Sequence, residues 1–539
     1  MKQRRIFVIS DLHLGGKPSE DDQNIGFQLC GQEGCQRLTE FVEWIRDYAP
    51  SNTWQKDDNN DWDVELVING DMVDFLAEEN HADSHNRRTK WDAFTEPQER
   101  AQAKLERIIR ERSGGFFPAL REFLNREGHY VTLIIGNHDV ELALPKVKQW
   151  LISYLTQNKI ECRGRLSLIF DGLPYRIGPV FIAHGNREDS FNRINHGQIR
   201  TISSAYEYEE PPQEKFTPPE GSLLVIRAIN PLKTKYKFVD LLKPETAAVV
   251  PFLRYLDSVA FKEALKKVAS HLQGIGMIKI LRRKPTSGEQ KASSTSQPAS
   301  SAICDIWQKY VKLPTTEVFT SIPFSDLPQH IHTYLNNIRE SIANVYGGDY
   351  ERADYFLAQL LDSKEPIPLL DGYQSAKETE AWIKWGLGII FGNTVVDLQD
   401  ALKVMSKDRS FEISYEVPPY WEAAQRLLVK DAIECVIFGH THLPKKIDLE
   451  KTEISNRWYI NTGTWCGIIK LPEETLSESG KKILDAFAQD LRENQLKNHI
   501  KFRPTYALIE LASDFKQLMS SPELLQFDKE NPRNHEIKF

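Results

Sequence analysis

Ile433-Glu434-Cys435-Val436-Ile437-Phe438-Gly439-His440-Thr441-His442 is a short, mostly apolar run that stops at a glycine and two histidines. The part Ile433–Phe438 reads as a buried strand. His440 and His442 stand at i and i+2, and in an extended or tightly turned backbone such residues point to the same side. Two imidazoles delivered together at a strand end suit a metal ion. A single ending of this kind is ordinary, but four other apolar runs in the chain stop the same way.

Ile6–Ile9 leads into Ser10-Asp11-Leu12-His13, again with two metal-competent side chains at i and i+2. Val64–Ile68 leads into Asn69-Gly70-Asp71-Met72-Val73-Asp74, where the glycine lets the backbone turn sharply and brings Asp71 close. Tyr130–Ile135 ends in Gly136-Asn137-His138-Asp139. Asn137 and His138 are adjacent, so they are expected to point different ways and do different jobs. Val180–Ala183 ends in His184-Gly185-Asn186-Arg187. Between these runs, Arg37–Ala49, Gln98–Arg112 and Phe117–Arg126 carry helical spacing. Strand, polar cluster and helix in repetition argue an α/β architecture whose strands feed loops at one sheet edge. Any one cluster reads equally well as a turn, because Asp, Asn and Gly favour turns. The series of five favours a site.

A chain of 539 residues is too long for one ordinary core. A hydrophobic content of 40% and a charged content of 27% are those of a globular protein. The net charge of −8 argues against nucleic-acid binding by the whole chain. No nucleic-acid module is recognisable. Cys30, Cys35, Cys162, Cys304, Cys435 and Cys466 have no zinc-ribbon spacing and are expected as reduced, buried thiols. No run reaches the ~18 apolar residues of a spanning helix, and a cytoplasmic setting is the expectation. The acidic run Asp57–Asp61 lacks the spacing of a calcium loop and reads as solvated.

The ordered set D-x-H (Asp11, His13), G-D-x-x-D (Gly70, Asp71, Asp74), G-N-H-D (Gly136 to Asp139), H (His184) and G-H-x-H (Gly439, His440, His442) resembles the calcineurin-like metallophosphoesterases. The resemblance covers roughly residues 1–198 and 431–515. It implies a four-layer αββα sandwich, two β-sheets packed together and flanked by helices. It also implies a dinuclear centre of two divalent transition-metal ions, Mn, Fe or Zn, that hydrolyses phosphoester or pyrophosphate bonds. Such chemistry needs an acidified water and neutralised phosphate oxygens, and two metals ~3.5–4 Å apart supply both. Carried over residue by residue, the family pattern assigns Asp11, His13, Asp71 and His442 to one metal. Asp71, Asn137, His184 and His440 take the other. His138 corresponds to the general acid and Asp74 to the carboxylate that orients it. Asn186, Arg187, Arg87 and Arg88 are candidate substrate contacts. One branch of the family, the UDP-diacylglucosamine pyrophosphatases, shares the start Asp11-Leu12-His13-Leu14 but carries Arg where this chain has His138. A phosphorylated small molecule and a lipid-linked nucleotide are both open as substrates. A non-catalytic scaffold of the same fold is the other class, and it would be expected to have lost ligands that are all present here.

Residues 199–430 read as a mostly helical insertion expected to cover the mouth of the site. Helices are expected around Leu327–Tyr346, Tyr350–Asp362 and Ala376–Ser406. The stretch 285–301 is rich in Ser, Thr, Gln and Lys and reads as a disordered loop. Lys262–Lys284 is a basic segment that suits a solvated face, a phosphorylated substrate or peripheral contact with an anionic membrane. Trp385–Val396 is nearly apolar and suits a small core or a wall for a lipid-like substrate. Residues 516–539 read as a polar C-terminal tail.

Overall fold

Strand β1 (Gln3–Ile9) sorts its apolar residues by parity. Ile6 and Val8 leave one face and Phe7 and Ile9 the other, because successive side chains of a strand alternate. All four are fully buried. A central strand buried on both faces requires a layer on each, and the computed structural model supplies them. It describes residues 2–18, 26–51, 62–80, 90–189, 191–257, 259, 398–402, 408–430, 432–449 and 457–537.

β1 lies in a six-stranded sheet between β13 (Thr505–Leu511) and β2 (Trp62–Asn69). Beyond β2 come β3 (His129–Ile134) and β4 (Leu166–Ile169), and beyond β13 comes β14 (Glu523–Gln526). A five-stranded sheet runs β5 (Tyr175–Ile177), β6 (Val180–Ile182), β8 (Cys435–Phe438), β10 (Trp458–Asn461), β9 (Lys445–Asp448). A three-stranded sheet joins β12 (Ile500–Phe502), β11 (Gly467–Lys470) and β7 (Leu242–Lys243).

Ile6, Val8, Val67 and Ile509 of the first sheet meet Val180, Ile182, Ile437 and Ile460 of the second in one buried cluster. Phe7, Ile9, Leu66 and Ile68 instead meet α1 (Gln32–Asp47), α2 (Gln98–Arg107), α3 (Phe116–Asn125) and α4 (Pro145–Thr156) through Leu38, Phe41, Leu105, Leu120 and Val147. The helix Pro418–Leu428 sets Tyr420, Ala423 and Leu428 against Val436, Phe438 and Tyr459 on the far face of the second sheet. Helix, sheet, sheet and helix are therefore the four layers expected. Fully burying one side chain of the size of Phe7 or Phe41 contributes about 1.5–3 kcal/mol.

β1, β2 and β3 are mutually parallel, and so are β6 and β8. Their carboxyl ends, which carry all five polar clusters, consequently gather at one edge of each sheet.

Two regions differ from the expectation. Residues 516–539 supply β14, which pairs with β13 and buries Leu524, Leu525 and Phe527. The compact units are 1–260 with 405–539, and 261–404. The margins of the segment read as an insertion thus fold with the strands: β7 adds to β11, and the helix Pro418–Leu428 forms an outer layer. Of the second unit the described part is the helix Leu398–Leu402. Asp57–Asp61, Arg87, Arg88, Lys262–Lys284, 285–301, Leu327–Tyr346, Tyr350–Asp362, Trp385–Val396 and Cys304 lie outside the described residues. The other five cysteines are buried and free. Among the described residues no helix is long and apolar enough to cross a membrane.

Candidate metal centre

The loops after β1 and β2 are zipped together by their backbones. The N–H of Leu12 and of His13 each donate to the Asp71 carbonyl at 2.9 Å, and Asp74 donates to the Leu14 carbonyl at 2.9 Å. This fixes Asp11, His13, Asp71 and Asp74 as one block. Asp11, His13, Asp71, His440 and His442 all have positive φ, from 43° to 70°. An L-residue there costs of order 1–3 kcal/mol, and such strain gathers at functional sites. Two glycines make room. A Cβ on Gly70 would sit 2.2 Å from His184 Nδ1, and one on Gly136 would sit 2.1 Å from Asp71 Oδ1.

Three groups of donors converge, each with its ligand atoms within 4.8 Å of one another: Asp11, His13 and His442; Asp71, His184 and His440; and His13, Asp74 and His138. His13 Nε2 and His442 Nε2 face each other at 3.0 Å, and His442 Nε2 is 3.5 Å from Asp11 Oδ1. His184 Nε2 is 3.1 Å from Asp71 Oδ2, and its Nδ1 lies 2.8 Å from the Asn69 carbonyl. His138 turns its Nδ1 to Asp74 Oδ1 at 3.1 Å, while its backbone N–H donates to Asp71 Oδ1 at 2.8 Å. Asn137 faces elsewhere: its amide donates to Asn192 Oδ1 at 3.4 Å. Its Oδ1 is buried with no hydrogen-bond partner.

The electrostatics follow from burial and pairing. Burial would raise Asp71 and Asp74, but His184 and His138 beside Asp71, and His138 and His13 beside Asp74, hold both carboxyls well below the usual range. Burial would lower His138 and His184. Asp74 and Asp71 outweigh it and raise His138 to about 10, and Asp71 raises His184 to about 9. Asp139 is pushed up by burial and by Asp71. It accepts the N–H of Gly136 at 2.6 Å and of Met72 at 2.8 Å, tying the third cluster to the second.

A divalent metal fits these residues. The donors mix imidazole nitrogen with carboxylate and amide oxygen, which suits borderline ions. The orphaned Asn137 Oδ1 is the clearest sign, since a buried carbonyl without a partner is costly.

Residues 4–244 match the family model of the calcineurin-like phosphoesterases. Over that span the chain is similar to that family. Calcineurin-like phosphoesterases are metal-dependent hydrolases of phosphoesters, which agrees with the donor groups gathered here. A search of the curated proteins found no match to the chain. His440 and His442 lie beyond the matched span, yet the fold returns them to it: the His440 N–H donates to Asp11 Oδ2 at 2.9 Å.

Of the candidate substrate contacts, Asn186 donates to the Asn192 carbonyl at 3.0 Å and Arg187 is exposed. Several participants carried no assigned role in the sequence. Asp189 holds His440 Nε2 at 3.0 Å, and its place in the loop that begins at His184 was a usable signal. Thr464 donates to the Asp11 carbonyl at 2.6 Å, and Asn461 donates to the Gly439 carbonyl at 2.8 Å. Lys243 places Nζ 3.3 Å from His442 Nδ1, with no motif to announce it. A cleft of about 870 Å³ among Phe411, Ile413, Lys446 and Lys470 is lined by none of the motif residues.

Proposed function

We propose that this chain hydrolyses phosphoester or pyrophosphate bonds with a pair of divalent transition-metal ions. The observation that carries the pair is the position of Asp71. Its Oδ2 is 3.1 Å from His184 Nε2 in one donor group and 3.8 Å from His13 Nε2 in the other, which supports reading it as a carboxylate shared by both. Asp11, His13, Asp71 and His442 would hold one ion, and Asp71, Asn137, His184 and His440 the second. Bound there, such ions supply Lewis acidity toward phosphoryl oxygens and a nucleophilic water near neutral pH.

The chain's own residues orient and move protons. Asp74 fixes the His138 ring through Nδ1, which leaves the other nitrogen to give a proton to the leaving oxygen. Asp189 Oδ2 meets the His440 ring at Nε2, 3.0 Å away. The substrate is a phosphorylated small molecule or a lipid-linked nucleotide met in the cytoplasm, a reading supported by the basic and apolar composition of Lys262–Lys284 and Trp385–Val396.

The test is hydrolysis by the full-length chain of aryl phosphomonoesters, aryl phosphodiesters and nucleotide pyrophosphates. Chelation should abolish turnover and added Mn should restore it. Turnover that survives complete removal of metal refutes the proposal.

A further inference from the structure

One carboxylate stands behind two of the residues assigned to the second ion. Asp189 lies in the loop that follows β6. Its Oδ2 is 3.0 Å from His440 Nε2 and accepts the Asn192 side-chain amide at 2.6 Å, while its Oδ1 accepts the Phe191 N–H at 2.9 Å. Asn192 Oδ1 in turn accepts the Asn137 amide at 3.4 Å. A neighbouring helix, Glu220–Leu224, braces the loop. The Gly221 N–H donates to the Phe191 carbonyl at 2.8 Å, and a Cβ on Gly221 would sit 2.1 Å from Asn192 Oδ1.

Donor and acceptor capacity sets the direction of each bond. An ionised carboxylate only accepts. Asn192 must therefore present its NH₂ to Asp189, which leaves its carbonyl oxygen for Asn137. That oxygen also only accepts, so Asn137 must present its own NH₂ to it. What remains of Asn137 is Oδ1, the buried atom that has no hydrogen-bond partner. The same reasoning applies to His440, which stands in the donor group with Asp71 and His184. Its Nε2 carries the hydrogen toward Asp189, and the lone pair is left on Nδ1. A coordinating imidazole ordinarily gives its other N–H to a carboxylate or carbonyl, and loss of such a partner weakens metal binding.

Resting on the two-ion reading above, we propose that Asp189 is the positioning residue of the second metal site: it fixes the His440 tautomer directly and the Asn137 amide through Asn192, so that each offers a lone pair to the ion. The effect belongs to one ion, since none of these bonds involves Asp11, His13 or His442.

The experiment titrates Mn into metal-free, full-length protein by calorimetry and measures kcat on an aryl phosphodiester as a function of Mn. Wild type is compared with Asp189→Asn, Asp189→Glu and His440→Ala. Asp189→Asn keeps the size of the side chain but is no longer bound to accept. It should weaken one of two binding events roughly 10–100-fold, the same event that His440→Ala weakens, and leave the other within twofold of wild type. Its kcat should return toward that of wild type at saturating Mn. Asp189→Glu, which keeps the carboxylate, should recover part of the lost affinity. Should Asp189→Asn not fold, Asn192→Ala removes the link to Asn137 and should weaken the same event. Both events within twofold of wild type overturn the proposal. Equal weakening of both does so too, because Asp189 would then act on the fold as a whole. A wild type that binds fewer than two ions overturns the two-ion reading itself, which separates the two failures.

Discussion

His138 stands where two interpretations divide. Its ring meets Asp74 at 3.1 Å, and the same ring belongs to a donor group with His13 and Asp74. As a proton donor it is dispensable for metal binding; as a ligand it is not. The first role is the one proposed, since Asp71, the carboxylate between the other two groups, bonds the backbone N–H of His138 and not its ring. His138→Ala should therefore retain its metal and lose ~10²–10⁴-fold in turnover, the ordinary scale of general acid–base catalysis. The loss should shrink for a leaving group such as nitrophenolate that needs no proton. Kinetics on a leaving-group series, with elemental analysis of the same preparation, decide it; equal losses across the series, or departure of metal, point to the ligand role.

At the scale of elements, β3 shows how a strand can be read at one end and not at the other. Its carboxyl end, Gly136 to Asp139, was legible because glycine and metal-competent residues follow directly on an apolar run. Its first residue, His129, gave no such signal. That ring is buried beside Phe123, 4.7 Å between centroids, and burial lowers it to about 4 from an ordinary 6.5. Between pH 6.5 and about 4 the unfolded chain binds a proton that the folded chain does not. Wild-type stability therefore falls as pH drops through that window. His129→Gln should lack this component, and the stability difference between the two proteins should change by about 3 kcal/mol across it. Denaturant unfolding of both at a series of pH values measures this, and a difference independent of pH contradicts it. The rest of the fold was illegible for related reasons. β7 is two residues long and exists through its pairing with β11. β14 sets Leu524 and Leu525 in a polar stretch too short to establish alternation. Lys243 meets His442 across 199 positions of sequence, a proximity that only the tertiary fold creates.

At the scale of the whole molecule, the compact unit that carries the candidate metal centre is residues 1–260 with 405–539. It includes β7 and the helix Pro418–Leu428, both inside the segment first read as an insertion. Two deletions should thus behave differently. A flexible linker in place of 261–404 should leave a protein that folds, binds metal and cleaves a small aryl ester. A linker in place of 199–430 should not fold, because it strips a strand from β11 and the outer layer from Val436, Phe438 and Tyr459. Thermal unfolding with and without Mn reads both outcomes, since an ion that binds only the folded state raises Tm. If both deletions fold equally, the assignment of 199–260 and 405–430 to that unit is wrong. The centre itself depends on five strand ends from two sheets meeting around Asp71, and one measurement reaches that claim most directly. Elemental analysis of metal-replete wild type and Asp71→Asn, after removal of free ions, should give about two divalent ions per chain in the wild type and a deficit at both sites in the variant. One ion per wild-type chain, or a variant that keeps its full complement, would contradict the account.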